Sequence, residues 1–313
     1  MARPISCIVA SQGGFLAWLV IAGFASGVVA SVAGCGARAS STAAPGAVGA
    51  LPVESEAARL GRSCDAGVLD ACASLGSLYD AGDAVARDPA RASALYQRGC
   101  DGGHSRSCYN LGVSYQDGSG VDKDEPLAAS LYRKACDGGF GVGCYNLAVC
   151  YERGIGQARD LTLAATHYQR ACDLGEPPAC TNLGVYFANG LAGEDNPQKA
   201  VALFARGCDG GNLPGCGGLG LSYVMGAGVA KDLERGVALV RRACDGKVQA
   251  ACYNLGLFYL EGVVVAKDAA RGAALLQGAC AAGVVAACTP PTPASPTPAS
   301  PTPSPSATPK AAP

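Results

Sequence analysis

Aromatic side chains, histidine and surplus charge are all scarce in this chain of 313 residues. Aromatics make up 6% of it, with a single tryptophan, which argues against a large aromatic core and, with abundant Gly and Ala, for closely packed helices. The formal net charge of −1 supplies no basic stripe for nucleic acid and no polybasic patch for an anionic membrane surface. His104 and His167 are the only histidines and are not paired, so a His-rich metal centre is excluded. The apolar run Phe15–Ala30 is marginal in length for a permanent membrane span.

Cysteine is plentiful by contrast. Fourteen of the 17 cysteines fall into seven C-x7-C pairs that recur every 36 residues without drift. The pairs are Cys64 with Cys72, Cys100 with Cys108, Cys136 with Cys144, Cys172 with Cys180, Cys208 with Cys216, Cys244 with Cys252 and Cys280 with Cys288. A fixed period of this length signals a solenoid in which each unit buries its apolar face on its neighbours. Cysteine usage of this density points to an oxidising compartment.

One period shows how the unit is built. Cys108, Leu111, Gly112 and Tyr115 lie on one helical face, and Gly118 suits the helix end. Asp124 fits the N-cap of a second helix with Pro126 in its first turn, and Cys136-Asp137-Gly138-Gly139 closes it. Each unit is thus a hairpin of helix A and helix B, and the fold class is all-α, an α/α solenoid. Six hairpins fit between Cys72 and Ala281, preceded by a cap helix from about Glu54 to Asp65.

The columns repeat. The helix-A glycine column (Gly76, Gly112, Gly184, Gly220, Gly256, with Ala148) implies close backbone approach, because glycine inside a helix costs about 1 kcal/mol relative to alanine. Asp88, Asp124, Asp160, Asn196, Asp232 and Asp268 read as N-caps rather than as acid, base or metal ligands.

In each C-x7-C the first cysteine ends helix B and the second opens the next helix A. Pairing them leaves none of the fourteen unpaired, whereas pairing within a hairpin, Cys72 with Cys100 for example, orphans Cys64 and Cys288. The i,i+8 scheme is therefore preferred, and each loop it closes contributes about 2–3 kcal/mol in the chain-entropy picture. C-x7-C is not a zinc spacing, so neither metal nor cofactor is expected. Cys150 stands outside the pairs and reads as a free, partly buried thiol, with a reactive or intermolecular role as the alternative.

The termini differ from the repeats. Residues 1–34 read as an export signal ending in Val32-Ala33-Gly34, followed by Cys35. The ending resembles the lipobox of bacterial lipoproteins, which implies that Cys35 is lipidated and that Cys7 is lost with the signal. An ordinary cleavable signal is the alternative. Gly36 is not the aspartate of inner-membrane retention in that family, which implies an outer-membrane anchor facing the periplasm. Residues 35–53 read as a flexible tether, 54–288 as the solenoid, and the Pro/Thr/Ser-rich stretch 289–313 as an extended, disordered tail.

The unit C-Y-N-L-G-V-S-Y-Q-D-G-S-G-V-D-K-D, with A-x-x-L-Y-R-K-A-C-D-G-G after it, resembles the Sel1-like repeat, a relative of the tetratricopeptide repeat. The cysteine spacing is similar to that of the Helicobacter cysteine-rich protein family. The resemblance implies a right-handed superhelix whose A helices line a concave surface that binds proteins or peptides. On that surface the best candidates are Asn110, Asn146, Asn182 and Asn254, beside Tyr109, Tyr145 and Tyr253. Hydrogen bonding between neighbouring helices is the alternative for the asparagines, and inter-repeat packing for the tyrosines. The expected partner is a protein or peptide of the cell envelope, with peptidoglycan fragments as a further ligand class. No nucleic acid is expected, and membrane contact only through the lipid anchor.

Some cysteine-rich relatives are described as penicillin-binding, which implies an alternative function as a weak β-lactamase. Serine enzymes of that kind need S-x-x-K with S-D-N and K-T-G elements. No serine here is followed by lysine three residues on, and neither other element occurs. No catalytic residue is therefore assigned.

Overall fold

A computed structural model describes residues 54–289, apart from 192, 194, 263 and 264. The export segment, Cys35 with the whole of the tether, and the tail beyond Thr289 lie outside the described residues. Among the described residues all regular structure is helical. A cap helix α1 (Glu56–Asp65) precedes six hairpins: α2 (Leu69–Ala81) with α3 (Pro89–Asp101), α4 (Ser105–Asp117) with α5 (Glu125–Asp137), α6 (Gly141–Arg153) with α7 (Leu161–Asp173), α8 (Pro177–Ala188) with α9 (Pro197–Asp209), α10 (Leu213–Met225) with α11 (Leu233–Asp245), and α12 (Gln249–Glu261) with α13 (Ala269–Ala281). A single turn, α14 (Val285–Cys288), ends the array.

The helix boundaries follow from local chemistry. Every B helix starts at a side-chain cap: Asp88, Asp124, Asp160, Asn196, Asp232 and Asp268 each accept a backbone N–H three residues on. Such a cap is worth about 1 kcal/mol. The cation before the cap also has a structural task. Arg87 and Arg159 donate Nε to the carbonyls of Asp80 and Glu152, 2.9 and 3.0 Å away, where an A helix ends and its dipole favours positive charge.

Within a hairpin the glycine column makes room for a ring. A Cβ on Gly112 would lie 2.8 Å from Tyr132, and one on Gly184 would lie 2.8 Å from Phe204. Between hairpins the decisive contact is a loop. Gly120, Gly156 and Gly228 hold φ of 73°, 67° and 73°, and a Cβ on any of them would strike the first backbone carbonyl of the preceding B helix at 2.2–2.3 Å. Ser93 Oγ donates to the Ser119 carbonyl across the same joint at 3.0 Å.

Seven disulfides close the B-to-A junctions in the i,i+8 pattern, with Cα–Cα distances of 4.4–4.8 Å. Cys64 is bonded to Cys72, Cys100 to Cys108 and Cys136 to Cys144. Further along, Cys172 is bonded to Cys180, Cys208 to Cys216, Cys244 to Cys252 and Cys280 to Cys288. The pairing within a hairpin, Cys72 with Cys100, does not occur. In the first six bonds the second cysteine sits in the first turn of an A helix, as Cys144 does in α6, Cys180 in α8, Cys216 in α10 and Cys252 in α12. The first six disulfides are buried, whereas Cys288 of the last is exposed.

The core runs the length of the stack as a chain of clusters that bridge neighbouring hairpins, one of them joining the second, third and fourth. Successive A helices touch (α2 with α4, α4 with α6, α8 with α10, α10 with α12), and successive B helices touch less. The A helices therefore lie inside the bend. The B helices meet at their ends through exposed ion pairs, Arg98–Asp65, Arg170–Asp137 and Arg206–Asp173, at 2.8–3.3 Å. Exposed pairs of this kind are worth at most about 1 kcal/mol each.

Two outcomes follow. Gly120→Ala is expected to cost about 2 kcal/mol or more, from strain at positive φ plus collision with Pro89. Gly103→Ala, at positive φ with open space around it, is expected to cost about 1 kcal/mol. Urea denaturation of both variants measures the difference, which is the share due to hairpin docking. In a graded thiol titration followed by peptide mass mapping, Cys280–Cys288 is expected to be reduced before the six buried disulfides.

Candidate binding surface

The inner face is built from A-helix positions two, five and eight residues after the opening cysteine. Its sequence-derived residues are placed as follows. Asn110 is half-buried on α4, and its backbone carbonyl accepts the Ser114 hydroxyl at 3.2 Å. Asn146 on α6 meets the Tyr109 hydroxyl of the preceding hairpin. Asn182 on α8 meets the hydroxyls of Tyr145 and Tyr168. Asn254 is buried and donates to the Ala250 carbonyl of its own helix at 2.8 Å. The asparagines thus form no uniform ladder: Asn146 and Asn182 join successive A helices through tyrosines, and Asn254 is spent locally.

The tyrosines face the joints between hairpins. Tyr109 packs on Tyr132 and Phe140, with centroids 5.9 and 5.3 Å away. Tyr145 packs on Tyr168 at 5.7 Å, and Tyr253 lies against the last core cluster. Burial raises the pKa of Tyr109 and Tyr145, and the facing asparagine amides hold that rise back. The pattern breaks at the fourth and fifth hairpins, where Thr181, Gly217 and Gly218 replace tyrosine and asparagine. Thr181 Oγ1 instead donates to Asn212 Oδ1 at 2.8 Å, and Asn212 caps α10 through Gly215 N at 3.1 Å. Gly218 has a packing reason, since a Cβ there would lie 2.9 Å from the Phe204 ring.

Other features were not read from the sequence. On the outer side a cation covers the helix-A aromatic in four hairpins: Arg91 over Tyr79, Lys199 over Phe187, Arg235 over Tyr223 and Arg271 over Tyr259, at 4.5–5.0 Å. Leu127 and Leu163, both exposed, take that position in the second and third hairpins. A cleft of about 330 Å³ opens where those hairpins meet, lined by Gln116, Asp117, Lys123, Glu125 and Ile155. Glu152, Tyr168 and Tyr186 gather where α6, α7 and α8 meet, and there the Tyr168 hydroxyl donates to the Glu152 carboxylate. Tyr186 was legible in principle, because the neighbouring hairpins hold Ser114, Cys150 and Ser222 at the same position.

Cys150 is free, 2% exposed, and its thiol is pushed up to about 11, first by burial and then by the charge of Glu125. A buried thiol of that acidity is inert. Among the described residues no group of three or more His, Cys, Asp or Glu side chains is placed to hold a metal. Among them, too, no helix is long and apolar enough to cross a membrane.

Fold and surface together define a class: a disulfide-stapled helical-hairpin repeat protein. The Sel1 repeat profile matches residues 69–104, 105–140, 141–176, 177–212, 214–247 and 249–284, and the chain belongs to the Sel1 repeat family. Among solved structures it is similar to a protective antigen present in uropathogenic Escherichia coli strains that displays an SLR fold. That match has TM-score 0.64 and 26% identity, over 72% of this chain and 48% of the antigen, so this chain spans about half the antigen's length. A Sel1 repeat protein from Oxalobacter formigenes matches with TM-score 0.62 and 22% identity, over 71% of this chain and 96% of that one. Cysteine-rich protein B of Helicobacter pylori matches with TM-score 0.34 and 24% identity, over 40% of this chain and 96% of its own. No curated protein matches the sequence.

The burial of Cys150 gives a direct expectation. Iodoacetamide at pH 8 should leave Cys150 unmodified in the native protein and alkylate it fully in 6 M guanidinium, read by peptide mass mapping. Native alkylation would refute the buried-thiol assignment.

Proposed function

We propose that the protein is an exported scaffold that binds a protein or peptide of the cell envelope along the inner face of its A helices. The observation that carries this reading is the inner face itself: half-buried asparagines and tyrosines on α4, α6 and α8, held on the side where the hairpins bend toward one another. Amide side chains offer donor and acceptor together, which suits an extended backbone. Rigid units lower the ordering cost of binding.

Location supports the reading. Seven disulfides persist in an oxidising compartment. The lipobox-like ending before Cys35 is consistent with a lipid anchor on the periplasmic side of the outer membrane. Peptidoglycan fragments are the second ligand class, since their peptide stems present the same amide groups.

The test is capture from a detergent-solubilised envelope extract on the oxidised, immobilised protein, with an Asn110→Ala/Asn146→Ala variant in parallel. A partner held by the wild type should bind the variant at least tenfold more weakly while circular dichroism stays unchanged. Equal retention on both proteins would remove the inner face from the function.

A further inference from the structure

We propose that the open end of the sixth hairpin is a docking face for the chain's own segment Pro290–Pro296, which runs back along α13 in the polyproline II conformation and closes the array.

The two ends of the stack are built differently. On α1, Glu56 and Arg59 stand two periods before Ala128 and Leu131, which are buried on α5. Glu56 and Arg59 are exposed and lie 3.9 Å apart, so this end is polar and suited to water. At the other end α13 keeps an apolar column. Ser93, Ala129, Ala165 and Val237 are buried in their hairpins, and Ser93 Oγ touches the loop of the hairpin that follows. Ala273 holds the same place on α13 and is exposed, with Ala269 exposed one turn before it.

Among the described residues the next hairpin stops after its first turn. α14 has 4 residues where α2 has 13 and α8 has 12. Val285 on that turn is 81% exposed, whereas its counterparts Leu69 and Leu213 are half-buried. Cys280 is likewise only half-buried, whereas Cys100, Cys136 and Cys172 have no exposed surface. The face is small, apolar and uncovered, at the one place where a repeat array needs a cap.

The chain itself arrives at this face. Thr289 leaves α14 at its edge with φ −119° and ψ 76°. An A helix runs antiparallel to the B helix before it, so a chain that keeps this direction lies along α13. Seven residues in polyproline II, at about 3.1 Å each, match the roughly 20 Å length of α13. Pro290, Pro291, Pro293 and Pro296 carry no N–H, so packing them on alanines strands few donors. Repeat register supplies a seat. Tyr109 meets Asn146 and Tyr145 meets Asn182, each 37 residues on. The same step from Tyr253, which lies against the last core cluster, arrives at Pro290. A proline against an aromatic ring is the contact that polyproline recognition uses. Attachment at the edge of the face holds the segment at an effective concentration of about millimolar, which favours it over a second copy of the chain.

The test uses the full-length oxidised protein and hydrogen exchange read by mass spectrometry. Exchange in α13 should be at least fivefold faster in a Pro290→Gly/Pro291→Gly/Pro293→Gly/Pro296→Gly variant, with α2 to α11 unchanged. A Pro301→Gly/Pro303→Gly/Pro305→Gly variant should match the wild type. Cys280–Cys288 should remain the first disulfide reduced in all three proteins, and its reduction should be at least threefold faster in the first variant. Unchanged exchange in the first variant would overturn the proposal, and so would equal acceleration in the second. Protection of α13 that is lost on dilution, with a dimer in sedimentation, would assign the face to a second copy and overturn it as well. The inner-face reading does not depend on this end of the array.

Discussion

The structure depends on a short covalent tie at the joint between hairpins. Each disulfide holds the end of one B helix within 4.4–4.8 Å, Cα to Cα, of the start of the next A helix. That tie fixes where the next hairpin begins, and the glycine loops fix how it lies. Gly120, Gly156 and Gly228 press their backbone onto the preceding B helix, a contact that any side chain would forbid. One joint is therefore held at two points, one covalent and one steric, and its angle has little freedom. A stack with such joints can offer a long surface of fixed curvature without a central core.

Rigidity at the joints changes what the rest of the sequence must do. The cores between hairpins are made largely of Ala, Leu and Cys, with few rings. Their contribution would be modest in an unlinked array. With the unfolded chain constrained by seven loops, less apolar burial is needed. That accounts for the low aromatic content; at the glycine column a ring fills the gap between A and B helices in the first, second and fourth hairpins, and Val240 and Leu276 fill it in the fifth and sixth.

Legibility followed the repeat. The helix boundaries, the caps and the B-to-A junctions were all readable, because six copies of each column turn weak local preferences into a pattern. The cap aspartates read as caps and are caps. The candidate surface residues were less legible for the same reason. A column of asparagines looks like a ladder in sequence, but its members meet different neighbours. Tyr109 and Tyr145 precede Asn146 and Asn182 by one hairpin, so those amides have partners, whereas Gly217 stands one hairpin before Asn254, which turns back to its own helix. The contact is set by the residue 36 positions upstream plus one, a relation that no reading of one column exposes.

Function in a repeat array must lie where the copies differ, because what every copy shares is spent on stacking. Two departures meet between the third and fourth hairpins: a tyrosine at Tyr186 where the flanking hairpins hold a small residue, and Thr181 where Tyr109 and Tyr145 stand elsewhere. The loss of a tyrosine at Thr181 ends the A-to-A tyrosine–asparagine links, while Tyr168, Glu152 and Asn182 remain joined on the nearer side. Tyr186 packs its ring edge-on to Tyr168, and its buried hydroxyl has no hydrogen-bond partner among the described residues. The cost of the orphan is borne within the core cluster that also buries Tyr132, Tyr168 and Leu147. Neighbouring packing and the flanking disulfides can hold such a defect in place. The defect lies in the core between the third and fourth hairpins, at the column where the sixth hairpin buries Phe258, a ring with no hydroxyl to leave unpaired.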